Sequence, residues 1–368
     1  MLYLAVLAAR EEDPARPPLV FAARNCHKTF VSAAALLDID VRWLYPEAGG
    51  NYLSCTVTPQ ALDAALAAAE RKPAAVYITS PDYLGNIADV AGLAAVCHRR
   101  GTLLLVDNAH GAYLRFLPVS RHPVDLGADA CCDSAHKTLP VLTGGAYLHI
   151  SRNAPAVFCA GARRALALFG STSPSYLILQ SLDAANRELA GGFPARLGDM
   201  AERTSSLGKS LAEHGFTLSD EPMKLTIAAR PWGYTGEGLA RALYDAGIVP
   251  EFYDPDYLVM MVSPSNRAAD ISRLGEALMS IPRRRAEDII PPLPGRPRAA
   301  MRIRDAVMSP AERIPVEKAV GRVLADTSVG CPPAVPIAVS GEIIDENAVR
   351  CFEYYGIGSC IVTKAIDG

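Results

Sequence analysis

The strongest constraint on the fold is the alternation of short apolar segments with helix-forming segments over the first 150 residues. Segments at 18–23, 41–45, 74–79 and 102–107 are predicted to form strands, with helices between them. Each segment is apolar along its whole length, which is typical of a parallel strand buried on both faces. We therefore predict an α/β fold in which helices cover both faces of a mostly parallel sheet.

Polar residues at the ends of these strands locate a single site. In open α/β sheets, ligands bind beyond the carboxyl ends of the strands. The residues at such ends are His27, Ser80, Asp107, Ser134 and Lys137. Their shared position predicts that they meet at one edge of the sheet.

Asp107 and Lys137 form a pair that suits pyridoxal 5'-phosphate (PLP). Asp107 ends one apolar strand, and Lys137 lies just past the next strand, in Ser134-Ala-His-Lys-Thr. A lysine ε-amine forms a Schiff base with PLP, and a carboxylate keeps the pyridine nitrogen protonated so that the ring accepts electrons. We predict these roles for Lys137 and Asp107, with the small residue Ala109 beside the ring.

Three histidines and two hydroxyls are further candidates. The imidazole of His27 is placed to stack on a cofactor ring, and His136 to orient or protonate the substrate. His110 is predicted at the pocket edge, and Ser134 and Thr172 offer hydroxyls to a phosphate. On the residues alone, structural roles stay open, because single histidines often serve packing and turn hydroxyls often bond their own backbone.

The composition excludes several classes of partner. A net charge of −3 gives no electrostatic basis for binding nucleic acid or an anionic membrane. The nine cysteines form no C-x-x-C pair and show no metal-ligand spacing, so we expect no metal and a reduced, cytoplasmic setting.

The apolar residues 1–9 lack the basic start of a signal peptide and are too few to span a bilayer. They also lack a capping residue, which predicts a helix whose natural start lies upstream.

Five motifs, in order along the chain, resemble those of the bacterial Orn/Lys/Arg decarboxylases, which are PLP enzymes of the aspartate aminotransferase fold (fold type I). The motifs are 24–29, 106–111, 134–140, 171–176 with 181–183, and 331–336 with 340–342. The resemblance implies a carbon–carbon lyase that decarboxylates arginine, lysine or ornithine to the amine and CO2. It also implies a homodimer, or a higher homo-oligomer, with shared active sites.

The resemblance implies roles for individual residues. Lys137 would carry the cofactor, and Asp107 would pair with its ring nitrogen. His27 would stack on the ring, His136 would lie beside the reacting carbon, and Ser134 would contact the phosphate. Thr172 would contact the phosphate in the neighbouring subunit.

Three departures from the family pattern bear on activity. Asn108 replaces the usual Glu, and Cys331-Pro-Pro-Ala334 replaces Tyr-Pro-Pro-Gly. The third departure is that the sequence is expected to start after the turn that binds the cofactor phosphate in the family. The N-terminal wing of the family's long members would also precede Met1.

Two alternatives therefore stay open: another fold-type-I reaction such as transamination or elimination, or a truncated, non-catalytic partner subunit. Glu342 is a candidate for binding the distal amine of the substrate.

Four divisions of the chain are predicted. They are a PLP-binding large domain at 1–190, a small α+β domain at 191–283, a Pro/Arg-rich linker at 284–299, and the C-terminal segment of the family at 300–368. Within the last segment, residues 316–325 are predicted to form a helix.

Overall fold

The computed structural model describes residues 1–46, 51–219, 221–286, 289–327 and 334–364. The motif at 331–336 therefore lies partly outside the described residues. No helix in the described ranges is both long enough and apolar enough to cross a bilayer.

The N-terminal part of the chain forms a six-stranded sheet. Its strands are β1 (Leu19–Ala23), β2 (Asp40–Leu44), β3 (Ala75–Thr79), β4 (Leu103–Asp107), β5 (Ala130–Asp133) and β6 (Tyr147–Ile150), in the order β2-β1-β3-β4-β5-β6. The first five strands run parallel, and β6 pairs with β5 in the antiparallel direction. The predicted, mostly parallel sheet is confirmed.

Helices cover both faces of this sheet. They are α1 (Leu2–Glu12), α2 (Lys28–Leu37), α3 (Pro59–Ala67), α4 (Val90–Arg99), the single turn α5 (Ala135–Thr138) and α6 (Ala156–Phe169). Leu4, Phe30 and Phe158 bury α1, α2 and α6 in one apolar cluster, whereas Leu62 and Leu93 bury α3 and α4 in another. Two separate clusters on one sheet are what a doubly covered sheet requires.

The helix starts follow their capping residues. The side chain of Thr58 accepts a hydrogen bond from the backbone N–H of Ala61, and Asp89 caps α4 in the same way, as expected. Helix α2 begins earlier than the apolar pattern indicated, because the imidazole of His27 accepts from the N–H of Thr29 and caps it.

A second sheet is antiparallel and follows two long helices. The elements are α7 (Tyr176–Ala190), α8 (Phe193–His214), β7 (Thr217–Leu218), β8 (Lys224–Ala228), α9 (Gly236–Asp245), β9 (Phe252–Tyr253), β10 (Tyr257–Met261) and α10 (Ala268–Ser280). The strand order is β7-β8-β10-β9. Leu211 on α8 and Leu278 on α10 are fully buried in the same core as Ile227 of β8. The smaller α+β unit is thus confirmed, with its helices packed on one sheet.

The C-terminal part adds a third sheet. It contains α11 (Ile303–Met308), β11 (Ala311–Pro315), β12 (Leu324–Asp326), α12 (Glu346–Tyr354) and β13 (Ser359–Thr363), in strand order β11-β13-β12. The predicted helix at 316–325 is wrong: a short 3-10 turn, Val316–Lys318, is followed by β12. Gly321 has φ +82°, which no helix tolerates, and Leu324 instead pairs with Val362 of β13.

Ala334 occupies a backbone conformation that favours glycine. Its φ is +56°, its side chain is buried, and its carbonyl accepts a hydrogen bond from the N–H of Lys28. A residue with a Cβ costs about 1 kcal/mol in this left-handed region.

We expect Ala334→Gly to stabilise the protein by roughly that amount and to raise the melting temperature by a few degrees, measured by calorimetry. Ala338→Gly is the control and is expected to destabilise the protein. A melting temperature that falls in both variants would contradict backbone strain at Ala334.

Candidate active site

A cavity of about 790 Å³ opens at the carboxyl edge of the six-stranded sheet. Seven of the residues predicted for the site line it: His27, Asp107, Ala109, His110, Ser134, His136 and Lys137. The parallel pairing of β4 and β5 explains this arrangement, because Asp107 is in register with Cys132, two residues before Ser134. The sheet thus brings together residues that are thirty positions apart in sequence, Asp107 and Lys137.

Asp107 is held by two hydrogen bonds at the end of β4. Its Oδ2 accepts from the hydroxyl of Tyr77, with 2.9 Å between the oxygens, and its Oδ1 accepts from the backbone N–H of Ala109 at 3.2 Å. Burial raises the pKa of Tyr77 well above its usual value, and the nearby Asp107 raises it further. Tyr77 therefore remains a neutral donor, and the carboxylate keeps a fixed orientation.

The ε-amine of Lys137 contacts a neutral histidine. Its Nζ lies 3.1 Å from Nε2 of His110. Burial holds the pKa of His110 well below its usual value, and the positive charges of Lys224 and Lys137 lower it further. The Nε2 of neutral His110 therefore accepts from Lys137 and its Nδ1 carries the proton. That buried Nδ1 has no hydrogen-bond partner among the described residues.

His136 and His27 have defined ring orientations. The Nδ1 of His136 lies 2.9 Å from the carbonyl oxygen of Gly145. A carbonyl only accepts, so Nδ1 of His136 carries the proton and Nε2 is left to exchange one. Burial lowers the pKa of His27, whose Nδ1 lies 2.8 Å from the hydroxyl of Thr29. Both rings therefore line the cavity in fixed positions.

The two predicted phosphate hydroxyls are placed differently. Ser134 lines the cavity, and its side chain makes no capping bond to α5. Thr172 lies in the exposed turn between α6 and α7 and does not line the cavity. A role for Thr172 in a neighbouring subunit stays a prediction.

Glu342 is not placed to bind the substrate. Its carboxylate forms a buried ion pair with Arg24, with 2.9 Å between Oε2 and the guanidinium, and also accepts from the N–H of Val339. Burial raises its pKa, and Arg24 opposes this rise. Glu342 is absent from the residues that line the cavity. The candidate role for Glu342 is therefore wrong, because its charge is already paired.

Sequence reasoning missed several residues that line the cavity, among them Tyr77, Tyr83 and Glu251. Tyr77 carried a signal, since it is a hydroxyl-bearing residue inside an otherwise apolar strand. Glu251 carried none, because it comes from the second sheet unit, just before β9. Glu251 and Asp107 are the carboxylates among the described lining residues.

Comparison with known proteins defines the class. The chain is similar to solved structures of the constitutive lysine decarboxylase of E. coli (TM-score 0.72, 18% identity, 99% of this chain and 69% of that chain) and of the Francisella novicida lysine decarboxylase (TM-score 0.74, 16%, 98% and 66%). It also resembles a PLP-containing SPT structure (TM-score 0.59, 15%, 76% and 70%). The fold is that of the fold-type-I PLP enzymes.

Sequence matches identify the family within that class. The model for the Orn/Lys/Arg decarboxylase major domain matches residues 14–214, and the model for the C-terminal domain matches 293–359. Curated arginine decarboxylases of Halalkalibacterium halodurans and Bacillus subtilis are each 29% identical, over 89% of this chain and 71% and 70% of their own length. The chain belongs to the Orn/Lys/Arg decarboxylase family, a family of PLP-dependent amino acid decarboxylases.

Proposed function

We propose that this protein uses PLP to remove the α-carboxylate of arginine, releasing CO2 and the corresponding amine. One observation carries the proposal: the amine of Lys137 and the carboxylate of Asp107 line the same cavity, at the ends of neighbouring strands. The family membership supports the reaction class. The choice of arginine over lysine or ornithine is supported by the names of the curated relatives.

The residues of the cavity fit PLP. The volume lies within the roughly 300–1,000 Å³ usual for small-molecule sites. Lys137 supplies the amine, Asp107 the partner for the ring nitrogen, and Ser134 a hydroxyl for the phosphate. Met1 also lines the cavity, so α1 begins there, and a helix N-terminus favours a phosphate. When bound, PLP supplies the electron sink that decarboxylation requires.

The histidines divide the remaining tasks. His27 presents a flat ring to the cavity and holds the cofactor from one side. His136 has its Nδ1 fixed by Gly145, so its Nε2, once it has itself taken up a proton, is the atom that gives a proton to the substrate carbon after CO2 leaves. Neutral His110 accepts from Lys137 and keeps the amine pointed into the cavity.

Glu251 is the residue we assign to the distal charge of the substrate. Asp107 is already bonded to Tyr77 and Ala109, which leaves Glu251 as the other carboxylate among the described lining residues. A carboxylate binds a guanidinium through two parallel hydrogen bonds, and binds an ammonium as a point charge. The large sheet thus provides the cofactor residues, and the smaller unit provides the substrate residue.

The direct test is product formation. Purified protein is incubated with PLP and, separately, with arginine, lysine and ornithine, and the amine and CO2 are quantified. We expect agmatine and CO2 in equal amounts from arginine, at a rate above those for the other two. Transfer of the amino group to an added 2-oxo acid without CO2 release would instead identify transamination. Absence of any product, with PLP bound, would identify a non-catalytic homologue.

Glu251→Gln is expected to raise KM for arginine about 10- to 100-fold while kcat changes little. A charged hydrogen bond is worth about 1.5–3 kcal/mol, and the substrate's distal group does not react. Steady-state kinetics measure this split. Glu237→Gln, on the exposed side of α9, is the matched control and should leave KM unchanged. An unchanged KM in Glu251→Gln would remove the assignment.

We also propose that the protein is a homodimer joined through an apolar surface beside Thr172. The exposed apolar residues of this surface are Leu166, Leu168, Phe169, Tyr176 and Leu177. Tyr176 is 87% exposed and Leu177 68%, and large apolar residues exposed close together in sequence favour an interface. A dimer formed here would carry Thr172 towards the partner's cavity, as the family resemblance implies.

The double variant Tyr176→Asp with Leu177→Asp is expected to be monomeric in sedimentation velocity, because two carboxylates desolvated at an interface oppose association. Val320→Asp, which alters an exposed residue of the C-terminal unit, should leave the dimer intact. A wild-type protein that is monomeric at high concentration would contradict the proposal.

A further inference from the structure

We propose a transition-metal site of the zinc class behind the cavity, with His122, Cys131 and Asp133 as three ligands and His149 as the fourth. This site is separate from the PLP residues and does not depend on the proposed function. It explains a buried cluster of donors that the decarboxylation chemistry does not use.

The sheet places these side chains on one face. Cys131 and Asp133 are two residues apart on β5, so they point the same way. His149 on β6 is the direct cross-strand partner of Cys131. His122, in the segment that leads into β5, closes the group from the side. Three chain segments therefore converge on one point.

The spacing of the donor atoms suits a tetrahedral ion. Nε2 of His122 lies 3.1 Å from Oδ2 of Asp133, and Sγ of Cys131 lies 3.6 Å from that Nε2 and 3.8 Å from Oδ1 of Asp133. Zinc bonds of about 2.0–2.3 Å at tetrahedral angles require edges of roughly 3.3–3.6 Å. The three residues offer one donor atom each within 4.8 Å of one another, so small side-chain rotations bring them to these edges.

We assign His149, which lies outside the group of three mutually close donors, as the fourth ligand and as the route of entry for the ion. Its Nε2 lies 3.0 Å from Oδ2 of Asp133. The side chains of His122 and Asp133 are 4% and 3% exposed, whereas that of His149 is 38% exposed. The exposed ring moves aside most easily, so His149 is the exchangeable ligand.

The donor types select the metal. A thiolate with two imidazoles and one carboxylate suits Zn²⁺ or Co²⁺, whereas Ca²⁺ and Mg²⁺ require oxygen ligands. Binding replaces the thiol proton of Cys131 and the hydrogen bonds from the two histidines to Asp133. Asn108 stays as an outer partner, since its Nδ2 donates to Oδ1 of Asp133 at 2.7 Å.

The site connects to the cavity through its neighbours in sequence. Asp133 precedes Ser134, and Asn108 follows Asp107. An ion bound to Asp133 therefore fixes the ends of β4 and β5, from which Asp107 and Lys137 project. The expected role is structural: the metal ties β5, β6 and the segment at His122 together.

The test uses chelator-treated full-length protein without PLP, titrated with ZnCl₂ and, in parallel, with CoCl₂. We expect one zinc per chain by elemental mass spectrometry after gel filtration. We expect the cobalt form to show the strong visible bands of a tetrahedral site together with a thiolate-to-cobalt charge-transfer band. A wild-type protein that retains no zinc, or whose cobalt spectrum lacks the thiolate band, overturns the proposal.

Variants separate this site from other thiols. Cys131→Ser should abolish the thiolate band and weaken zinc binding by at least about 10-fold, because losing a ligand costs no less than losing an outer partner. Cys97→Ser is the matched control, since Cys97 is equally buried on α4 and should leave binding unchanged. Equal zinc affinity in Cys131→Ser and the wild type would overturn the assignment. Lys137→Ala should bind zinc normally, which keeps this result independent of the PLP proposal.

Discussion

Lys137→Ala is expected to lower the decarboxylation rate by at least about a thousand-fold, because it removes the amine that carries the cofactor. Lys137 is the one lysine among the described residues that line the cavity. The variant should also lose the visible absorption band that PLP acquires on bonding to a lysine amine. Absorbance spectra and amine production measure the two effects.

Chemical trapping provides the control for Lys137. Borohydride reduction of the PLP-treated wild type should fix the cofactor on the peptide that contains Lys137, as detected by mass spectrometry. Lys28→Ala, at the start of α2, should keep both the absorption band and the activity. A band that survives in Lys137→Ala, or trapping on another lysine, would contradict the assignment.

Asp107→Asn is the second change with a large expected effect. Asparagine has the same shape but cannot keep the pyridine nitrogen protonated, so the electron sink weakens. The removal of one preorganised electrostatic group costs on the order of 100- to 1,000-fold in kcat. We expect a loss of that size, with a smaller change in KM, measured by steady-state kinetics at saturating PLP.

Tyr77→Phe tests the hydrogen bond that orients Asp107, and its expected effect on kcat is smaller. It removes one of the two hydrogen bonds to the carboxylate and leaves the charge in place. One hydrogen bond is worth about 1 kcal/mol, so kcat should fall roughly five-fold. Wild-type kcat in Asp107→Asn, or an equal loss in both variants, would show that the charge of Asp107 is not what matters.

The positions of the site residues were largely predictable, for a physical reason. Apolar strands without alternation require a sheet covered on both faces, and such a sheet collects the ends of its strands at one edge. His27, Asp107 and Lys137 follow directly from that geometry. Their chemical roles remain proposals, as do the domain boundaries and the part played by Thr172.

The rest of the site depends on contacts that sequence spacing does not encode. Glu251 reaches the cavity from a different sheet. Arg24 pairs with Glu342, 318 positions later in the chain, and so keeps that carboxylate from binding a substrate. The expectation of no metal rested on cysteine spacing, whereas the cluster at Asp133 mixes residue types from three segments. The helix predicted at 316–325 is wrong. Its apolar residues, such as Val316 and Leu324, are buried in one core, but the first belongs to a 3-10 turn and the second to a strand.

The buried ion pair of Arg24 and Glu342 also affects the order in which parts of the chain fold. The guanidinium of Arg24 donates to the carbonyl of Ile337 as well as to Glu342, and the N–H of Lys28 donates to the carbonyl of Ala334. The loop that carries His27 is therefore completed by residues that lie more than 300 positions later in the chain. Contacts of such long sequence separation form late in folding. A nascent chain thus completes its cofactor pocket only after the segment around residues 334–342 has been synthesised, and a chain that stops before this segment cannot assemble it.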